Sequence, residues 1–170
     1  VPEYVGISKR IQAEDLERRA GKAPQHVLDA LAKVGAKPED TSFGSCVFAN
    51  KPGDGSAREQ AASCQRVIGG LANIVHEYAT KRYRSNVMNW GMVPFQMEAE
   101  PNFEVDDYVF VPGIRAALDG DLKDIAAYVV RAGGAVEQIE LYIADMTAEE
   151  RAIVKAGCLI NYNKFKAAAE

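Results

Sequence analysis

Gly53-Asp54-Gly55-Ser56-Ala57-Arg58-Glu59-Gln60-Ala61-Ala62 is the stretch whose reading decides the fold. A β-like run, Ser42 to Ala49, and a turn, Asn50-Lys51-Pro52-Gly53, come before it. After it Ala61, Cys64, Val67 and Ile68 recur at helical spacing, so one helix face made of these four is expected. Strand, glycine-rich turn and helix together aim backbone N–H groups and a positive dipole end at an anion. Gly53 and Gly55 can take positive φ and leave no side chain between backbone and ligand. Ser56 reads as the N-cap with Arg58 in the first turn, which places a hydroxyl and a guanidinium together. Ser56 to Glu59 also fits a capping box, which needs no ligand, and the two readings are compatible.

The residues around the turn carry a resemblance. Gly55-Ser56-Ala57-Arg58-Glu59-Gln60-Ala61-Ala62 is similar to the Gly-Ser-Ser-Arg-Glu-His-Ala-Ala signature of the aconitase family's C-terminal, swivelling domain. Ala72 to Ala79 resembles that family's strand and turn after the signature helix. Asn86-Val87-Met88-Asn89-Trp90-Gly91-Met92-Val93-Pro94-Phe95 resembles its Asn-Leu-Ile-Asn-Phe-Gly-Ile-Leu-Pro-Leu. Gly157-Cys158-Leu159-Ile160-Asn161-Tyr162 resembles its closing Gly-Gly-Leu-Leu-Asn-Tyr, and Asp106-Asp107-Tyr108 partly matches a Gly-Asp turn. The expected fold is therefore α/β, the swivelling β/β/α domain of the aconitase C-terminal or isopropylmalate isomerase small-subunit type.

By this resemblance Ser56 matches the general base of an aconitase-like hydro-lyase, and Arg58 matches a residue that binds a substrate carboxylate. Gly55 and the backbone amide of Ala57 complete the expected substrate contacts. Two positions depart from the family: its second serine is Ala57 here, and its histidine is Gln60. An upstream substrate-binding arginine has no clear match. Arg10 is a poor candidate, and the equivalent residue is expected before Val1. The resemblance also implies a 4Fe-4S cluster as Lewis acid. Cys46, Cys64 and Cys158 read as separate buried thiols, so no metal ligand is assigned in this chain. The cluster is expected on other, N-terminal domains, which together with a small carboxylate substrate are the expected partners. His76 stands where the family often has lysine and reads as a satisfied or surface histidine.

Composition sets bounds. The 170 residues suit one domain with a proper core, and 48% hydrophobic content excludes a disordered chain. A formal charge of −4 excludes general attraction to nucleic acid. There is no bilayer-spanning apolar run and no signal-peptide pattern. Three scattered cysteines argue against a disulfide framework, so a cytoplasmic home, with the mitochondrial matrix as an option, is expected. A start at Val1 without methionine suggests a piece of a longer polypeptide.

Residues 1–40 read as a helical extension of a 41–170 swivelling domain. Ala13 to Ala20 is helix-favouring, Gly21-Lys22-Ala23-Pro24 breaks it, and Pro24 to Val34 resumes with His26 on the surface. Ala72 to Val75 and Val93 to Met97 read as strands around a helix from Tyr78 to Trp90, and the first crossover as parallel. Trp90 and Phe95 read as core. Lys81, Arg82 and Arg84 form a basic face read as solvated or as a contact with other domains, since no aromatic platform for RNA accompanies it. After an acidic loop, 98–107, come a short strand from Tyr108 and a hairpin across Gly133-Gly134. Thr147 to Glu150 is a capping box that opens a C-terminal helix. A compact, partly barrel-like sheet is expected.

The function this implies is dehydration and rehydration of a hydroxy di- or tricarboxylic acid, with the isolated chain inactive. Two alternatives are the small subunit of a two-chain isopropylmalate isomerase-type enzyme and a regulatory binding domain that has lost catalysis.

Overall fold

The computed structural model describes residues 2–169. Helix α1 (Pro2–Glu17) continues into a wide turn, Arg18–Lys22, broken at Gly21 with φ of 90°. Helix α2 (Gln25–Lys33) buries Val27, Ala30 and Leu31; of the apolar positions at helical spacing, Val27 and Leu31 face inward, Leu28 is half-buried and Val34 is exposed. Then follow β1 (Ser45–Ala49), α3 (Arg58–Val67), β2 (Gly70–Val75), α4 (Lys81–Asn89) and β3 (Val93–Gln96). The second half contains β4 (Tyr108–Phe110), α5 (Ile114–Ala117), β5 (Ile125–Val130), β6 (Val136–Leu141), α6 (Ala148–Ala156) and α7 (Leu159–Ala167).

The fold is mixed α/β. Strands β1, β2 and β3 form a parallel sheet in that order, joined by α3 and α4. Strands β4, β5 and β6 form an antiparallel sheet. In place of one partly barrel-like sheet there are two, linked among the described residues by one isolated antiparallel bridge between Gln96 and Tyr142. The main core joins Ile74, Met88 and Phe95 from the parallel half to Ala127, Leu141 and Val154 from the other. Burial of this apolar surface, worth about 25 cal/mol per Å2, is what holds the two sheets against each other.

Two expectations of burial fail. The strand from Ser42 shortens to β1, and Ser45, Cys46 and Val47 are exposed because β1 is an edge strand with a neighbour on one side only. The face of α3 read as apolar points outward: Ala61, Cys64, Val67 and Ile68 are all exposed. Ala62 and Gln65 face inward instead. Ala62 is fully buried beside Tyr83, Val87 and Met92, where only a small side chain lets α3 approach α4. Gln65 donates to Asn73 Oδ1 (2.5 Å) and to the Ala72 carbonyl (3.1 Å), and Asn73 donates to the Tyr83 hydroxyl. Two buried amides that satisfy each other set the rotation of the helix more firmly than a stripe of apolar residues.

Candidate functional site

The Gly53–Arg58 turn leaves the carboxyl end of β1 and feeds α3, as the sequence indicates. Its local chemistry differs from a capping box. The N-cap is Ala57 (φ −91°, ψ 50°), with no side-chain cap, so Ser56 neither caps α3 nor pairs with Glu59. Glu59 reaches across to α4, accepting from Trp90 Nε1 at 2.6 Å and from Asn86 Nδ2. That is why Trp90, expected in the core, is only partly buried.

Gly53 has φ of 103°, and a Cβ there would lie 2.5 Å from Tyr83 Cβ, so glycine is required twice over. Gly55 differs from expectation, because its φ is not positive and the space a Cβ would fill is open. Nothing within the chain therefore demands glycine at 55. Gly55, Ser56 and Ala57 are exposed, and Arg58 is half-buried.

Arg58 Nε donates to the Gly53 carbonyl at 3.0 Å, and Nη2 donates to the Asp54 carbonyl at 3.4 Å. The same Gly53 oxygen accepts from Thr80 Oγ1 at 3.0 Å, while Thr80 Oγ1 accepts from Tyr83 N and so caps α4. Ala79 N donates to the Pro52 carbonyl, and Glu77 N to that of Asn50. The turn is thus pinned along one side by residues 77–80. Sequence reasoning missed Thr80, although a threonine directly before Lys81 is an ordinary N-cap signal. The Glu59 and Gln65 contacts had no local signal, because their partners lie elsewhere in the chain.

Two opposite behaviours follow for the basic residues of α4. Lys81 and Arg82 are exposed as expected. Arg84 leaves their face and donates through Nη2 to the carbonyls of Ala144 (2.7 Å) and Asp145 (3.2 Å), tying α4 to the second half of the chain. His76 is satisfied: Nδ1 lies 2.9 Å from the Met97 carbonyl, which can only accept, so Nδ1 carries the proton. His26 is half-buried rather than fully exposed, edge-on to Tyr108.

The three cysteines are free, and their expected burial is corrected. Cys46 and Cys64 belong to exposed residues, and Cys158 is half-buried. Cys46 is exposed on its edge strand, yet the atoms packed around its thiol push it up to about 12, against a hydrogen bond with the Ile74 backbone. Cys158 caps α7, its Sγ accepting from Asn161 N at 3.5 Å. An iron–sulfur cluster needs several convergent thiolates. A protonated thiol on β1, another on α3 and a capping sulfur before α7 do not fit one, and no group of three His, Cys, Asp or Glu among the described residues could hold a metal ion. Among these residues no helix is long and apolar enough to cross a membrane.

No protein-family model matches the chain, and no curated protein matches it. Among solved structures, the chain is similar to the crystal structure of 3-isopropylmalate dehydratase from Methanocaldococcus jannaschii. The two are 22% identical, the alignment covers 87% of this chain and 81% of that one, and the TM-score is 0.47.

Proposed function

We propose that this chain is a swivelling domain of an aconitase-like hydro-lyase, which supplies a serine base and an arginine clamp for a hydroxy di- or tricarboxylic acid. The observation that carries this reading is the division of labour in the signature turn. Ser56 is exposed and free of any capping duty, beside an arginine already oriented by two loop carbonyls. A guanidinium has five N–H donors, and these two bonds leave three for a carboxylate. An arginine held in this way loses little further freedom when it binds, which favours a planar, bidentate ligand.

The chemistry asked of Ser56 is removal of a proton from the carbon next to a substrate carboxylate. A serine hydroxyl is a weak acid, so its deprotonated form needs positive charge nearby. Arg58 and the first amides of α3 supply it. The open space at Gly55 leaves the approach to Ser56 and the Ala57 amide clear. Departure of the hydroxyl from the neighbouring carbon requires an acid that this chain's residues do not fit, so its share is base and clamp. The 4Fe-4S cluster that the resemblance implies belongs, in this proposal, to partner domains that complete the site.

The test is Ser56→Ala in the assembled enzyme, assayed over a panel of hydroxy tricarboxylates and dicarboxylates. Loss of a general base should lower kcat by about 10^2–10^4-fold with little change in KM. Because Ser56 does not cap α3, unfolding free energy should stay within about 0.5 kcal/mol of the parent. Turnover within a few-fold of the parent would remove Ser56 from the base position.

A further inference from the structure

The chain contains two Asp-Gly pairs, Asp54-Gly55 and Asp119-Gly120, and no Asn-Gly. The fold treats the two pairs in opposite ways. Asp119 is paired with the Lys155 ammonium, and the Gly120 N–H donates to the Ala117 carbonyl at 3.0 Å. Asp54 and Gly55 are both exposed, and among the described residues neither the Asp54 carboxyl group nor the Gly55 N–H has a hydrogen-bond partner. The space a Cβ would fill at Gly55 is open, so nothing hinders the approach of its nitrogen to the side chain before it. We propose that Asp54-Gly55 is a site of spontaneous isoaspartate formation, and that the rearranged residue presents Arg58 with a carboxylate of its own.

The chemistry needs no co-reactant besides water. The Gly55 nitrogen attacks Asp54 Cγ, which reacts as the carboxylic acid. The N–Cγ bond forms, the Cγ–OH bond breaks, and the hydroxyl leaves with the amide proton as water. A five-membered imide results. Water then adds to one of its two carbonyls. Cleavage of N–Cγ restores aspartate, whereas cleavage between the nitrogen and the Asp54 carbonyl carbon gives isoaspartate. Nothing is oxidised or reduced, and the mass ends unchanged. The main chain now runs through Cγ, one carbon longer, and the former Asp54 carbonyl has become a free carboxylate.

That oxygen is the one that accepts from Arg58 Nη2 at 3.4 Å. The Gly53 carbonyl tethers Arg58 Nε at 3.0 Å and so keeps the guanidinium beside residue 54. A neutral acceptor at the edge of bonding range is thereby replaced by an anion, whose charge-assisted bonds to a guanidinium are about twice as strong. The consequence for substrate rests on the hydro-lyase reading: an internal carboxylate competes for the donors of the Arg58 clamp.

The experiment is incubation of the folded 170-residue chain at mildly acidic pH, followed by peptide mapping with electron-transfer fragmentation, which separates isoaspartate from aspartate at equal mass. Residue 54 should convert about tenfold faster than residue 119, the rate equivalent of one hydrogen bond that must first open. In urea the two rates should converge, because the protection of Asp119-Gly120 is lost on unfolding. Asp54→Glu should abolish the signal at 54, since the six-membered imide forms far more slowly, and it leaves the fold intact because the Asp54 side chain has no partner to lose. Equal conversion at 54 and 119 in the folded chain, or none at 54, would overturn the proposal. In the isoaspartate fraction the Arg58 Nε–H resonance should shift, and one that stays in place would overturn the part assigned to Arg58. Malonate, titrated separately, should bind the fresh chain and the incubated Asp54→Glu variant more tightly than the isoaspartate fraction. A fresh chain with no affinity for malonate would count against the clamp reading alone, while the map of residues 54 and 119 still decides the modification.

Discussion

At Gly55 the sequence and the structure can be set against each other directly. The chain itself leaves room for a methyl group and does not impose positive φ there. Gly55→Ala should therefore be neutral or stabilising by about 0.4–1 kcal/mol in a urea melt, through a less flexible unfolded chain. If substrate approaches over this residue, the same change should weaken binding of a tricarboxylate, measured by calorimetry on the assembled enzyme. Arg58→Lys tests the neighbouring position. It keeps the charge but loses the planar fork that bonds Gly53 and Asp54. Carboxylate affinity should fall about tenfold or more, and unchanged affinity would mean that Arg58 serves only the loop. The same scale separates the thiols. Cys46 and Cys64 are both exposed residues, but the packing around the Cys46 thiol pushes it up to about 12, which keeps it protonated at neutral pH. Since the thiolate is the reactive form, a disulfide reagent at neutral pH should modify Cys64 well before Cys46.

Among the elements, α4 is the one on which the signature turn depends. Thr80 caps it and also donates to the Gly53 carbonyl. Thr80→Val keeps the shape and removes both bonds, so a loss of about 1–2 kcal/mol is expected from urea unfolding. Faster hydrogen exchange of the 53–58 amides should accompany it if Thr80 pins the turn. The far end of α4 closes at Gly91, with φ of 71°, where a Cβ would run into the Gly157 carbonyl at the break between α6 and α7. Gly91 thus combines a helix stop with a close backbone approach to Gly157. The stop was legible in the sequence from the glycine alone. The approach was not, because nothing near residue 91 records what lies opposite it.

Across the whole molecule, two sheets share one core and, among the described residues, one isolated bridge, and outside that core two weakly acidic groups, the Cys46 thiol and the Tyr78 hydroxyl, are held in their neutral forms. Burial first, and the Ile74 backbone in opposition, sets the raised Cys46 thiol. Burial again raises the Tyr78 hydroxyl, helped by repulsion from Tyr83 and Cys46 and opposed by the Arg84 charge and by hydrogen bonding with Asn73. Both groups are neutral when protonated. The folded state therefore keeps protons that the unfolded chain releases once pH passes the ordinary thiol value of 9.0. The Cys46 contribution is fully present below that value and is lost as pH rises towards about 12, while that of Tyr78 begins to be lost above 10.0. Unfolding free energy measured in pH steps should fall across this window, and Cys46→Ala should flatten part of the slope. An unchanged slope would place the Cys46 sulfur in solvent.

The sequence by itself determined what depends on near neighbours. The strand–turn–helix order around Gly53 to Ala62, the Thr147–Glu150 capping box, the hairpin across Gly133-Gly134 and the helix breaks at glycine all rest on contacts within a few residues. Only the tertiary structure decided which face of an element is buried and what each side chain does there. The apolar stripe of α3 lost to a Gln65–Asn73 pair, Glu59 left its expected cap for Trp90, and β1 proved to be an edge strand. Periodicity registers that a helix has two faces. Which one turns inward is fixed by partners far away in the chain, through small-residue packing and the need to satisfy buried polar groups.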